Sequence, residues 1–178
     1  EPFNLLKLKQ SLAKLKARKI FSEVKHEVLS GTSKGTNIIN ISVTEQPTGE
    51  ISAGAGVGTN GGSIAFNIKE NNWLGRGVGV STFLEADQDT VKGTLSVTNP
   101  NYNYSGNSLG WFVSSTRNDK PDSGYENSLM STGISTNFEQ YKDVRLSAAI
   151  AFNYDDMQVQ DTASASLKKQ AGTFTDLA

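Results

Sequence analysis

Two glycine-spaced stretches are the first candidates for chemistry. Gly54-x-Gly56-x-Gly58 and Gly75-x-Gly77-x-Gly79 have the spacing of loops that cradle phosphate. A phosphate loop must follow a strand and open a helix, so that backbone N–H groups and the helix end face the anion. No helical pattern follows either stretch, and the nucleotide reading fails on context. His26 is the only histidine. It lies in a short alternating stretch, and no Ser/His/Asp arrangement forms around it. Asp87 with Asp89, and Asp155 with Asp156, are candidate calcium ligands, because hard cations take carboxylate oxygens. The simpler reading of both pairs is a solvated acidic loop. The chain has no cysteine, which excludes a disulfide framework and a thiolate metal site. The expectation is therefore no catalytic residue, no cofactor, no metal and no enzyme.

What remains is backbone chemistry. In an extended strand Ile51, Ala53, Ala55, Val57 and Thr59 fall on one face, and Ser52, Gly54, Gly56 and Gly58 on the other. Glycine in a strand interior weakens it and leaves nothing to pack. Such a strand has one apolar face, one bare face and a poor grip on its neighbours. At a sheet edge its unpaired N–H and C=O groups can template another strand.

The elements around this stretch fall into two parts. In residues 1–48, Leu5, Leu8, Leu12 and Leu15 recur at helical spacing with Leu6 beside them, and Asn4 is the expected N-cap. Lys7, Lys9, Lys14, Lys16, Arg18 and Lys19 cover the rest of that helix, as a solvated face or a protein-docking surface. The net charge of −1 speaks against nucleic acid as a partner. Val24 and Val28 then alternate with polar neighbours, residues 31–35 turn, and Ile39, Ile41 and Val43 share a face. That reads as a hairpin with one helix to cover it.

From residue 49 onward seven strand patterns follow, at 50–59, 62–71, 77–87, 90–99, 107–117, 125–137 and 144–156. Each is near the ~9–11 residues that cross a bilayer when tilted. The last is the cleanest, with Leu146, Ala148, Ile150, Phe152 and Tyr154 on one face. Alternate turns differ in kind. One set carries Trp73, Tyr102, Tyr104, Phe138 and Tyr141; the other is polar and charged. In an up-and-down sheet alternate turns share an edge, so one edge is aromatic. Trp and Tyr favour the membrane–water interface. No apolar run approaches the ~20 residues of a membrane helix, which leaves a β-barrel open. The rival reading is a soluble β-sandwich binding module, whose strands also alternate.

Asn71-Asn-Trp-Leu-Gly-Arg-Gly and Ser96-Val-Thr-Asn-Pro-Asn-Tyr resemble the turn after strand two and the end of strand four of the BamA-like outer-membrane β-barrel assembly proteins. Leu15…Ile20-Phe21-Ser-Glu-Val and Ile41-Ser-Val-Thr-Glu-Gln-Pro resemble the second helix and last two strands of that family's final POTRA domain. The resemblance implies a mainly β chain. Residues 1–48 would be the C-terminal part of the last POTRA domain, and 49–178 the first seven antiparallel strands of an incomplete transmembrane barrel. It implies folding and insertion of β-barrel proteins into the bacterial outer membrane, with Ile51–Thr59 as a lateral-gate strand. It also implies a periplasmic aromatic belt at Trp73, Tyr102, Tyr104, Phe138 and Tyr141, and lipid contact at Leu146, Ala148, Ile150, Phe152 and Tyr154. The implied partners are outer-membrane lipid, unfolded barrel clients and accessory assembly lipoproteins on the POTRA side. Secretion transporters and channels of the same superfamily share the architecture. The opening Glu1-Pro2, without an initiator Met, reads as part of something longer, and residues 157–178 as an outer loop with a short helix near Ala163–Gln170.

Overall fold

A computed structural model describes residues 3–33, 35–58, 61–141 and 144–178. The chain divides into two units, Glu1–Gly49 and Glu50–Ala178.

In the first unit, helix α1 (Leu5–Ala17) precedes strands β1 (Phe21–Ser30) and β2 (Asn37–Glu45), which pair antiparallel. Asn4 starts the helix: its carboxamide oxygen accepts from the Leu6 N–H at 2.9 Å and the Lys7 N–H at 3.1 Å. This satisfies two of the donors that a helix start leaves orphaned. Leu8 and Leu12 bury against Val24, with Phe21 packed alongside. Leu5 and Leu6 stay outside this cluster, 50% and 65% exposed, so the apolar stripe is narrower than the leucine spacing predicts.

The second unit is an eight-stranded antiparallel sheet. Its strands are β3 (Gly49–Gly58), β4 (Gly61–Trp73), β5 (Val78–Ala86), β6 (Thr90–Asn99), β7 (Ser108–Lys120), β8 (Tyr125–Tyr141), β9 (Val144–Val159) and β10 (Gly172–Leu177). Each strand pairs with its neighbour in sequence, so β3 and β10 are the two edges. A four-residue helix, α2 (Ala165–Lys168), lies between β9 and β10.

Three sequence expectations change. The sheet has eight strands, not seven: residues 157–159 continue β9, and 172–177 pair with it as β10 rather than lying in a loop. The strands also run further than their apolar pattern. Trp73, Phe138 and Tyr141 are at strand ends rather than in turns. Asp155 and Asp156, expected in a turn, lie within β9.

The turns explain the second glycine stretch. Leu74, Gly75 and Gly77 have φ of 54°, 71° and 64°. Only glycine takes such values without cost. The Asn72 carboxamide oxygen accepts from the Gly77 N–H at 2.7 Å and closes the turn. The glycines serve chain reversal, not phosphate.

Candidate functional site

The register assigns every strand residue to a face. One row across the sheet runs Ile68, Thr82, Leu95, Val113, Thr132, Phe152, Leu177. The next runs Glu70, Val80, Val97, Trp111, Ile134, Ile150. Ile64, Phe66, Leu84, Leu109, Met130, Leu146, Ala148 and Tyr154 lie on the same face. The other face carries rows such as Asn67, Phe83, Thr94, Ser114, Ser131, Asn153, Asp176.

In β4 and β9 the burial is inverted relative to a protein folded in water. In β4, Ile64, Phe66 and Ile68 are exposed, while Ser63, Ala65 and Asn67 between them are half-buried. In β9, Ile150, Phe152 and Tyr154 are exposed, whereas Ala151, Asn153 and Asp155 are half-buried. Among the described residues, the buried hydrophobics are Leu8, Leu12, Ile20 and Val24 in the first unit and Ala163 in a loop of the second. No strand of the large sheet contributes one. A sandwich would need a second layer to cover this apolar face, since burial of apolar surface is the main favourable term in folding. A bilayer supplies the same environment without a second layer.

The band is bounded on both sides. Leu146 to Tyr154 spans about 27 Å along the strand, taking ~3.4 Å per residue. Beyond Tyr154 the face ends in Asp156, and Arg117 pairs with Glu126 at 2.8 Å on the same rim. At the opposite edge lie Trp73, Tyr102, Tyr104 and Tyr141, with Tyr104 the most open at 93% exposed. Phe138 pairs with Leu146 just inside that edge and is half-buried. The structure thus brings the aromatic residues to one edge and Leu146, Ala148, Ile150, Phe152 and Tyr154 to one face.

Ile51, Ser52, Ala53, Gly54, Ala55, Gly56, Val57 and Gly58 all lie in β3, and all are exposed. Thr59 falls outside the described residues. Among the described residues, a β-carbon added at Gly54 or Gly58 would meet nothing within 4 Å, and one at Gly56 would meet only Ser63 Oγ at 3.3 Å. The strand is an edge whose bare face touches almost nothing.

The calcium candidates do not assemble. Asp155 and Asp156 point to opposite faces: Asp155 accepts from Asn127 at 2.6 Å, and Asp156 accepts from the Thr173 hydroxyl at 2.8 Å. The Asp87 carboxylate accepts backbone N–H groups of Asp89 and Thr90, and Asp89 pairs with Lys120 Nζ at 2.7 Å. The Asp89 N–H, then Thr90 and Lys120, hold the Asp87 carboxyl below its ordinary range. Among the described residues no cluster of acidic residues or histidine could hold a metal.

No family model matches the chain. In sequence it is 27% identical over 152 residues to the outer membrane protein assembly factor BamA of Neisseria meningitidis serogroup B. In structure it matches BamA from Haemophilus ducreyi lacking POTRA domains 1–3, with a TM-score of 0.76 over 96% of this chain. The fold of the chain is BamA-like. The structural match has 17% identity and carries the fold alone. The chain spans 18% of the length of the Neisseria BamA and 36% of the solved Haemophilus chain. Sequence reasoning missed β10 and Trp111 in this BamA-like sheet. The exposed indole of Trp111 donates to the Thr132 hydroxyl at 3.1 Å. The signal for Trp111 was its alternation with Leu109 and Val113.

Proposed function

We propose that the protein takes part in folding and inserting β-barrel proteins into the bacterial outer membrane, with β3 as the templating strand. The edge position and bare face of β3 carry this reading. An edge strand offers unpaired N–H and C=O groups, and an incoming strand satisfies them by β-augmentation. In hydrocarbon such groups cannot stay unpaired, so templated pairing lowers the barrier to insertion. Glycines on one face of β3 remove the side-chain contacts that would otherwise fix its partner. Residues 1–48 would then be part of a periplasmic POTRA domain, and 49–178 part of the barrel. Unfolded barrel proteins are the clients, lipid bathes the apolar face, and accessory lipoproteins meet the POTRA side.

The chain has no cysteine, so single cysteines placed from Ile51 to Thr59 report cleanly within it. Crosslinks from these positions to a stalled client in the intact protein support the reading. Their absence along the whole strand removes β3 from the mechanism. A secretion channel of the same superfamily would instead conduct ions and insert no client.

A further inference from the structure

The polar rim of the sheet is tied from turn to turn. The first tie is at Gly61, which opens β4 with φ of 93°. The side chain of Gln88, at the tip of the β5–β6 turn, fills the space over the Gly61 backbone. A β-carbon at Gly61 would lie 2.7 Å from Gln88 Oε1 and 3.6 Å from Gln88 Cβ. The β5–β6 turn is itself closed. The Asp87 N–H donates to the Thr90 carbonyl at 2.9 Å, and the Asp87 carboxylate accepts from the Asp89 and Thr90 N–H groups. On its far side this turn is held by β7. The Asp89 carboxylate pairs with Lys120 Nζ at 2.7 Å, both side chains half-buried, and the Asp89 carbonyl accepts from the Asp119 N–H at 2.7 Å. The Thr90 hydroxyl donates to Asn118 Oδ1 at 3.2 Å. One turn further on, the Gly124 carbonyl accepts from the Gln160 N–H at 2.8 Å.

We propose that Gln88 is a positioning residue for the templating strand: it holds the β3–β4 hairpin at its polar end, and the Asp89–Lys120 pair holds Gln88. The functional half of this inference rests on the reading of β3 as that strand. β3 needs a hold from outside itself. One of its faces is bare at Gly54, Gly56 and Gly58, and on the other Ile51 and Val57 are 78% and 93% exposed. Its side chains therefore do little to order it, and its order comes from backbone pairing and from the turn that leads into β4. A strand ordered beforehand spends less conformational entropy when a client pairs with it. The contact at Gly61 supplies such order at a position where only glycine takes the backbone angle without cost. The Asp89–Lys120 pair keeps Gln88 in place, because removing the lysine would leave a half-buried carboxylate without its counter-ion. Gln88 is uncharged and exposed. Substitution of such a residue is normally close to neutral, so a loss of order confined to the β3–β4 hairpin would mark the contact.

The test is amide hydrogen exchange of the intact protein in phosphatidylcholine vesicles, which reads local opening segment by segment. Gln88→Ala should raise exchange several-fold at residues 54–58 and 61–66 and leave β8 and β9 unchanged. Gln88→Met, which keeps the length of the side chain, should restore the protection. Lys120→Met should raise exchange at 87–90 and, through Gln88, at 61–66 as well. Client insertion into the same vesicles should slow several-fold in Gln88→Ala and recover in Gln88→Met. Unchanged exchange at 54–58 and 61–66 in Gln88→Ala overturns the proposal, whatever insertion does. A rise spread over the whole sheet also overturns it, because that is a general loss of stability. Faster exchange at 87–90 alone in Lys120→Met overturns the link from the ion pair to the hairpin. Faster exchange at 54–58 and 61–66 with undiminished insertion leaves the hold standing and overturns its functional half, and with it the reading of β3 as the templating strand.

Discussion

The ring of Phe112 occupies the space that a side chain at Gly133 would need. A β-carbon at Gly133 would lie 2.8 Å from Phe112 Cε1 and 2.6 Å from the Ile150 carbonyl oxygen. The two residues are cross-strand partners on the more polar face, in register from β7 to β8. The ring covers a backbone that has no side chain of its own. Gly133→Ala should therefore destabilise the folded sheet by about 1–3 kcal/mol, the usual cost of overpacking. A urea titration of the membrane-folded protein measures it. Adding Phe112→Ala should recover only part of the loss, because the ring moves away but the Ile150 carbonyl does not. Full recovery would show that the ring alone forbids a side chain there.

Acid should loosen the turn between β5 and β6. The Asp87 carboxylate is held below the ordinary aspartate range, chiefly by the Asp89 N–H. A depressed folded pKa contributes stability that is present above the unfolded value and lost as pH falls through the folded one. Protease cleavage at 87–90 should therefore stay slow at neutral pH and rise only below the ordinary aspartate range. Asp87→Asn should cleave at one rate across that window. Equal pH dependence in both proteins would place the acid-sensitive group elsewhere.

Residues whose side chains alternate cleanly made their elements legible. β9 could be read from Leu146, Ala148, Ile150, Phe152 and Tyr154 against Ser147, Ala149, Ala151 and Asn153. β10 could not. Thr173, Thr175 and Leu177 lie on the apolar face, while Phe174 points to the other with Asp176. A reading that follows the largest apolar residue puts that strand on the wrong face. The ends of β8 and β9 were clipped for a related reason. Glu139, Asp155 and Asp156 end the apolar pattern, but backbone pairing continues past them to Tyr141 and Val159. Hydropathy marks where the apolar band stops, and hydrogen bonding does not stop there. For β3, the sequence placed the residues but not the consequence. That no described residue lies within 4 Å of a β-carbon at Gly54 or Gly58 is a property of the edge strand in the folded sheet, not of the sequence pattern.

That openness separates stability from activity. Gly54→Ala and Gly58→Ala meet no steric barrier, and neither glycine has a positive φ. Each should leave stability unchanged or raise it by about 0.4–1 kcal/mol, through a less flexible unfolded chain. If the loose fit of β3 serves templating, the double variant should insert clients more slowly at equal or greater stability. Client folding into vesicles gives the rate, and denaturant titration gives the stability. A double variant with undiminished insertion would show that the bare face is not needed.

The face assignment itself is tested at Ile150. This residue lies opposite Ile134 near the middle of β9, 46% exposed within the apolar band. A lysine there would place its ammonium near the bilayer midplane, far from either rim. Such a substitution costs roughly 2–4 kcal/mol at the midplane of a barrel and falls towards zero at the interfaces. Ile150→Lys should show that full cost in a membrane folding titration. Ala151→Lys, on the neighbouring row of the opposite face, should cost much less if that face meets water. Tyr154→Lys, beside the acidic rim at Asp156, should fall between them. Equal costs at 150 and 151 would mean that the two faces share one solvent, and the membrane reading of the sheet would fall with them.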